Sequence, residues 1–370
     1  MMTDKNKIGP WLPVQGIKGR YITNDHLEGF LTTLGNKAVI GQVGRSVKGA
    51  PIHCLKLGQG PHRILIWSQM HGNEATTTKA LMDLVQYLTG GEEGAQNILG
   101  KISLTIIPIL NPDGARAYTR INANGVDLNR DAQQRTQPES EVLWEVYREC
   151  QPHFCFNMHG QRTIFSAGDR EKPATVSFLA PAFDAARSLS PARQAAMQLI
   201  VAMNLALQRV IPNQVGRYDD GFNPNCTGDA FMMQQTPTVL FEAGHYPNDY
   251  GRESTRALIF MALKTALESI ADTRWQTHSV ASYARIPENQ KRFVDVLLHN
   301  PHLLAPQMHK DDTVGIMYKE MLVNGEIVFK PDSENVKVGA KGLYGHLALD
   351  CANPKHLKII QERELDTILS

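Results

Sequence analysis

Two residues near the start of the chain have the spacing of a metal-ligand pair. His71 and Glu74 lie three residues apart in the sequence HGNE, directly after the apolar run RILIWS. A second histidine would complete the two imidazoles and one carboxylate that hold catalytic zinc in one established class of site. His159 is the candidate, because it also follows an apolar run, FCFNM, and also precedes a glycine. The alternatives are a glutamate that only complements a helix N-terminus and a histidine that only forms hydrogen bonds at a strand end.

A carboxylate in a later apolar run is the candidate for proton transfer. Glu242 lies in PTVLFEA, where a carboxylate costs several kcal/mol unless it is paired or associated with a metal. Zinc-activated water reacts best when a base takes its proton and passes it to the leaving nitrogen, and a carboxylate suits both steps. The alternative is a glutamate at a strand end that faces water. His245, three residues on, is a further candidate for a ligand or for a supporting group.

The connection NPDGARAYTRINANGVDLNRD, at residues 111–131, carries candidates for substrate binding. Its NPDG start predicts a turn. Arg120, Asn129 and Arg130 add two guanidinium groups and an amide, which can bind and orient a carboxylate. Surface arginines are common by themselves. Their combination with Asp127, between two strands expected to carry metal ligands, favours a site for an anion.

Alternating strand and helix patterns would position these residues. Strands are predicted at the short apolar runs 37–43, 63–69, 102–110, 154–158 and 237–243. Helices are predicted at 74–88, 138–149, 191–210 and 253–271. This alternation indicates a layered α/β domain. Such sheets place their ligands at the carboxyl ends of strands, where His71 and His159 are expected.

The pattern changes after about residue 275. The sequence VGIMYKEMLVNGEIVFKP has two strand-like runs around Asn324-Gly325, which predicts a hairpin with a type I′ turn. We therefore predict a catalytic domain over residues 1–275 and a small β-rich accessory domain over residues 280–370. All candidate catalytic groups lie before residue 245. The second domain is expected to cover the cleft, to form an oligomer contact or to pack as an accessory.

Composition excludes several classes of partner. Thirty-eight basic and 37 acidic residues give a formal charge of +1, without a long run of either sign, so nucleic acid is not an expected partner. The start, MMTDKNKIGPWLPVQG, lacks a signal-peptide core, and no apolar run approaches the roughly 20 residues of a membrane span. We expect a cytoplasmic protein without membrane contact.

Five cysteines without CxxC spacing argue against a disulfide framework and a cysteine zinc site. The oligomeric state stays open.

The ordered set HGNE, NPDG, GVDLNR, a strand-end histidine and a late strand glutamate resembles the zinc carboxypeptidase family, typified by pancreatic carboxypeptidase A. The resemblance covers roughly residues 35–270. It implies a mixed, mainly parallel sheet flanked by helices, and one zinc ion per chain. It further implies that His71, Glu74 and His159 bind the zinc, and that Glu242 is the general base and later the acid.

The resemblance also assigns roles in substrate binding. Arg120 would polarise the scissile carbonyl and stabilise the oxyanion, and Asn129 with Arg130 would hold the terminal carboxylate of the substrate. Asp127 would orient the first zinc histidine, as carboxylates do behind metal-bound imidazoles.

Three departures from the family pattern leave the substrate open. Asn73 stands where the pancreatic enzymes have an arginine. The mobile tyrosine of the family has no firm match, and Tyr218 and Tyr246 are the candidates. Asp229 is the candidate for the side-chain pocket.

Two other functions stay open. The sequences HGNE and DLNR also resemble the aspartoacylase and succinylglutamate desuccinylase branch, which removes an acyl group from an amino acid by the same zinc chemistry. NPDG and the full GVDLNR favour the carboxypeptidase, so the expected substrate is a peptide or, in the alternative, a small acylated amino acid. The third interpretation is an inactive peptide-binding module, against which the complete set of ligands and base argues.

Overall fold

The computed structural model describes residues 8–339 and 342–369. The strands in this part of the chain are β1 (Val39–Arg45), β2 (Pro51–Leu57), β3 (His62–Ser68), β4 (Ile102–Ile107), β5 (Phe154–Gly160), β6 (Ser166–Ala167), β7 (Val176–Leu179), β8 (Val215–Arg217), β9 (Thr238–Ala243), β10 (Asn289–Gln290), β11 (Phe293–His299), β12 (Thr313–Val323), β13 (Glu326–Val338) and β14 (Tyr344–Asp350).

The helices alternate with these strands. They are α1 (Asn24–Thr33), α2 (Ala75–Leu88), α3 (Glu93–Lys101), α4 (Pro112–Ala117), α5 (Pro138–Cys150), α6 (Pro191–Gln208), α7 (Thr227–Met233), α8 (Glu253–Ala271), α9 (Val280–Ala284) and α10 (Pro354–Glu362). None of the helices in the described part of the chain combines the length and the apolar character needed to cross a membrane.

Eight strands form the main sheet, in the order β1-β2-β4-β3-β5-β9-β7-β8. Its centre is parallel, because β3 pairs in parallel with β4 and β5, and β5 pairs in parallel with β9. The strands β1, β2 and β7 add antiparallel pairs. The predicted layered α/β fold, with a mixed and mainly parallel sheet, is confirmed. This order brings the carboxyl ends of β3, β5 and β9 to one edge, where ligands bind in such sheets.

Both faces of the main sheet are covered, as the central strand β3 shows. Ile64 and Ile66 belong to the larger core, together with residues of α2, α6 and α8. Leu65 and Trp67 point to the other face, where α5 packs. Residues 64–67 of β3 are all apolar, because successive side chains point to opposite faces of the sheet and both faces are buried.

A second sheet lies in the C-terminal part, in the order β13-β12-β11-β14. Asn324 and Gly325 connect β12 and β13 with φ angles of 50° and 82°, which fits the predicted type I′ turn. The apolar face of this sheet is covered by α10, which contributes the buried Ile360. The β-rich character of this region is confirmed. The proposed boundary near residue 275 remains a prediction.

Candidate metal centre and active site

The loop that carries His71 is held in place by the NPDG loop. The Asn111 side chain donates a hydrogen bond to the Met70 carbonyl (3.2 Å) and accepts one from the Gly114 amide (2.8 Å). The backbones of the two loops touch, because a Cβ on Gly72 would lie 1.9 Å from the Gly114 carbonyl carbon. Any larger residue at position 72 would push the loops apart and displace His71.

The three predicted ligand side chains converge in front of β3 and β5. Glu74 Oε1 lies 2.9 Å from His71 Nδ1, and Glu74 Oε2 lies 3.0 Å from His159 Nδ1. The two Nδ1 atoms are 3.1 Å apart, and the candidate ligand atoms all lie within 4.8 Å of one another. Both imidazoles are buried. Two imidazole nitrogens and a carboxylate that face one point are a donor set for zinc.

Asp127 contacts the far side of the first histidine. Its Oδ1 lies 3.0 Å from His71 Nε2 and accepts the Asn129 amide (2.9 Å), while its Oδ2 accepts Arg120 Nε (3.0 Å). Burial opposes the charge, but the hydrogen bond to His71 and the nearby positive charges hold the pKa of Asp127 well below its usual range. An ionised carboxylate there fixes the imidazole tautomer and orientation, as predicted for a metal-binding histidine.

The protonation states of two ligands suit metal binding. Burial alone would raise the pKa of Glu74, but the charge of His71 and the hydrogen bonds from both histidines hold it well below the ordinary value. Burial lowers the pKa of His159, so this imidazole is neutral near pH 7. Ionised carboxylates and neutral imidazoles are the forms that bind metal ions.

Glu242 lies on β9, in register with His159 on β5. Its Oε2 is shielded from solvent and has no hydrogen-bond partner among the residues that the structure describes. Burial raises the pKa of Glu242 well above its usual value, and the neighbouring Glu74 adds to the effect. A carboxyl group with a raised pKa beside a metal site can both accept and return a proton near neutral pH.

Arg120 faces the centre from the loop after α4. Its Nη1 lies 3.2 Å from His71 Nδ1 and 3.4 Å from Glu74 Oε1, and its side chain is 45% exposed. Both Nε and Nη2 lie 3.0 Å from Asp127 Oδ2, and the half-exposed guanidinium remains accessible from the solvent side. This placement allows hydrogen bonds to an oxygen atom that develops negative charge in front of the ligands.

Asn129 and Arg130 lie in a short 3₁₀ turn, Leu128–Arg130, on the other side of Asp127. The Asn129 Oδ1 accepts the Thr227 amide (3.0 Å). Arg130 is exposed and donates from Nη1 to the Asn129 carbonyl (2.7 Å) and to Cys226 Sγ (3.1 Å). The rest of this guanidinium stays available to an anion.

The candidate pocket residue, Asp229, lies in the first turn of α7 and is buried. Burial raises the pKa of Asp229 to about 7. Backbone hydrogen bonds and the charges of Arg130 and Arg193 oppose this shift.

The two tyrosine candidates have different surroundings. Tyr218 follows β8, and its ring centroid lies 5.3 Å from that of Phe165. Burial raises the pKa of Tyr218, and the charges of Glu242 and Glu74 add to the effect. Tyr246 packs against the main core and forms a backbone bridge with Asp249.

His245 is not part of the ligand group. It is buried between aromatic rings, with centroids 4.7 Å from Tyr250 and 4.1 Å from His346 of β14. Burial lowers its pKa well below the usual value. The structure therefore places His245 in the contact between the main sheet and the C-terminal sheet.

A cavity of about 370 Å³ opens at Glu74 and Arg120, and part of its wall comes from the C-terminal sheet. Arg20 Nη2 lies 3.0 Å from both Glu320 carboxylate oxygens, and Tyr118 donates to the same carboxylate (2.5 Å). These three residues were not predicted from the sequence. Arg20 and Tyr118 lie 300 and 202 positions before Glu320, so no local pattern relates them.

Part of the chain is similar to known carboxypeptidases. The family model described as zinc carboxypeptidase matches residues 24–177. Carboxypeptidase 2 of Trichophyton tonsurans is 28% identical over 100 residues, which cover 26% of this chain and 19% of that protein. Carboxypeptidase M of Mus musculus is 29% identical over 190 residues, which cover 43% of each chain. The chain thus spans less than half the length of these relatives.

Solved structures show the same fold. A metallo-carboxypeptidase from Burkholderia cenocepacia has a TM-score of 0.55 at 19% identity, over 68% of this chain and 70% of that one. Carboxypeptidase A from Helicoverpa armigera has a TM-score of 0.54 at 17% identity, over 68% of this chain and 74% of that one. The chain therefore resembles the zinc carboxypeptidase family over residues 24–177, and its fold is that of these solved carboxypeptidases.

Proposed function

We propose that this chain is a zinc-dependent metallocarboxypeptidase that hydrolyses the C-terminal amide bond of a peptide. The observation that carries the proposal is the convergence of His71, Glu74 and His159, with Asp127 behind the first imidazole. These residues fit one zinc ion per chain, because they offer two imidazole nitrogens and an ionised carboxylate. Zinc in such sites supplies Lewis-acid activation of water and of the scissile carbonyl.

The remaining roles follow from position and charge. Glu242, beside His159, takes a proton from the attacking water and returns it to the leaving nitrogen. Arg120 stabilises the negative charge that develops on the carbonyl oxygen. Asn129 and Arg130 hold the terminal carboxylate of the substrate. Asp229, with Tyr218 or Tyr246, shapes the pocket for the leaving residue.

One observation favours a second candidate, an amidohydrolase for N-acyl amino acids. The C-terminal sheet contributes Met317, Tyr318 and Phe329 to the wall of the cavity in front of Glu74. A wall at this place limits the length of the acyl part. The carboxypeptidase remains the better supported function, because both curated relatives are carboxypeptidases by name.

A substrate panel on the zinc-loaded protein tests the proposal. We expect amidation of the C-terminus to lower kcat/KM for a peptide by roughly 10²-fold or more, about 2.7 kcal/mol of transition-state binding. Arg130→Ala should lose most of this discrimination, whereas Arg120→Ala should lower kcat on both substrates. Cleavage of N-acetyl or N-succinyl amino acids, with every tri- and tetrapeptide inert, would show that the amidohydrolase is the correct function.

A further inference from the structure

The cavity in front of Glu74 lies on one side of the centre. Asn73, Arg120 and Gly160 line it next to the ligands, and residues of β12 and β13 complete its wall. Asn129, Arg130 and Asp229 are not among its lining residues. If these three hold the leaving residue, as proposed above, this cavity receives the acyl part of the substrate. We call it the acyl-side cavity.

We propose that the acyl-side cavity binds an acyl group that carries a negative charge, and that Arg162 and Lys319 are its cationic contacts. This inference rests on the proposed function and deepens it, because it names the chemical class of the substrate. Arg162 follows β5, and Lys319 belongs to β12 of the C-terminal sheet. A main-sheet loop and the C-terminal sheet therefore share the recognition of one substrate group.

Two of the four cations that line the acyl-side cavity already form ion pairs within the protein. Arg20 pairs with Glu320 at 3.0 Å, and Arg120 pairs with Asp127 at 3.0 Å. The buried Asp295 accepts the Tyr250 hydroxyl. Its second oxygen accepts the Tyr318 amide (2.7 Å). Glu74 is committed to the two histidines and, in the proposed function, to zinc.

Besides the hydrogen-bonded Asp295, the cavity is lined by three further charged residues, Arg162, Lys319 and Asp332. Within the described part of the chain, neither cation has an ion-pair partner within 4.0 Å. The Asp332 oxygens accept the Glu334 amide (3.1 Å) and the Asn335 side chain (2.7 Å). The Asn335 hydrogen bond lowers the pKa of Asp332, and the charges of Lys319 and Arg162 add to the effect. Arg162 and Lys319 are therefore the two cavity cations that no ion pair among the described residues occupies.

The position of Arg162 limits where the anion can lie. Arg162 is three residues after the ligand His159, a segment that spans at most roughly 10 Å. An anionic group bound there belongs to the acyl residue next to the scissile bond, or to one neighbour beyond it. Acyl residues with an acidic side chain fit this place, and basic ones would be repelled.

Matched peptides test the proposal on the full-length, zinc-loaded protein. We use N-acetyl dipeptides that share one C-terminal residue and carry Glu, Gln or Lys on the acyl side. We expect kcat/KM for the Glu peptide to exceed that for the Gln peptide by about tenfold or more, with the Lys peptide lowest. Lys319→Gln and Arg162→Gln should each reduce the Glu-to-Gln ratio severalfold. Lys330→Gln is the matched control, because Lys330 is exposed, lies opposite Lys319 on β13 and does not line the cavity.

Calorimetry with the Glu242→Gln variant separates this inference from the proposed function. The Kd of the same peptides reports charge preference without turnover. If no peptide is hydrolysed but the Glu peptide still binds more tightly than the Gln peptide, the proposed function fails and the anion site stands. Equal kcat/KM and equal Kd for both peptides would overturn the anion site, as would a ratio unchanged in Lys319→Gln and Arg162→Gln. Absence of binding by every peptide would overturn both.

Discussion

His71 and His159 are 88 positions apart in the sequence, yet their Nδ1 atoms lie 3.1 Å apart. Sequence analysis could pair them because each follows an apolar strand, and neighbouring parallel strands end at the same edge of a sheet. Glu242 was proposed from its apolar strand alone, and the structure places it in register with His159. It could not place Arg20 or Tyr118 around the cavity, because their partner, Glu320, comes from a different sheet.

At the residue scale, we predict that Glu242→Gln retains zinc but lowers kcat by roughly 10²–10⁴-fold, because the amide keeps the shape and loses the basicity. Steady-state kinetics and metal analysis on the same preparation measure both effects. Glu326→Gln, at an exposed position of the C-terminal hairpin, is the control. Wild-type turnover by Glu242→Gln would remove Glu242 from proton transfer.

The contact between the two loops gives a second prediction at this scale. Gly72→Ala should destabilise the protein by about 1–3 kcal/mol and weaken metal binding, because its Cβ would clash with the Gly114 backbone. Chemical unfolding and zinc titration measure the two effects. Gly100→Ala is the control, since a Cβ there would meet no atom within 4 Å. If Gly72→Ala matches this control in both measurements, the loop contact does not hold His71.

At the scale of elements, segments with a regular apolar pattern were predicted correctly, and segments that lack such a pattern were missed. The helix prediction for 253–271 matches α8 at both ends, because its apolar positions repeat over five turns. The strand β2 was missed, since it begins with a proline and carries His53 and Lys56 among its apolar residues. The strand β8 has only three residues, too few for a periodic pattern.

The contact between His245 and His346 predicts a pH-dependent stability. Burial lowers the pKa of both imidazoles, so the folded protein keeps them neutral below the value of about 6.5 expected for an unfolded chain. The unfolded state then binds more protons, and the free energy of unfolding should fall as the pH drops below about 6.5. Above about pH 7 these groups should contribute no pH dependence.

Urea unfolding at pH 5 and pH 7.5 measures this effect. His245→Phe should show a smaller difference between the two pH values than the wild type. His309→Gln, at an exposed position, should keep the wild-type difference. An unchanged pH dependence in His245→Phe would show that this imidazole is not kept neutral by burial.

At the scale of the whole molecule, a partly buried ion pair joins the C-terminal sheet to the segment that precedes α1. Arg20 is 7% exposed at its side chain, and Glu320 is 28% exposed. Glu320→Ala would leave the Arg20 charge unpaired, which we expect to cost about 3 kcal/mol of folding free energy. Chemical unfolding measures the loss, and Glu326→Ala on the exposed hairpin end should cost less than about 0.5 kcal/mol.

A double-mutant cycle checks that the loss comes from the pair. The combined Arg20→Met and Glu320→Ala change should be less destabilising than the sum of the single changes, because neither charge then remains unpaired. Strictly additive losses would mean that the two side chains do not interact in solution.

The central claim, a zinc centre formed by His71, Glu74 and His159, is tested most directly by measuring the zinc content of the full-length protein. Elemental analysis after loading with zinc and dialysis should give about one zinc per chain in the wild type. His159→Ala should lose most of the metal. His245→Ala should keep it, because His245 lies outside the ligand group. A wild type without zinc, or full zinc occupancy in His159→Ala, would contradict the proposed centre.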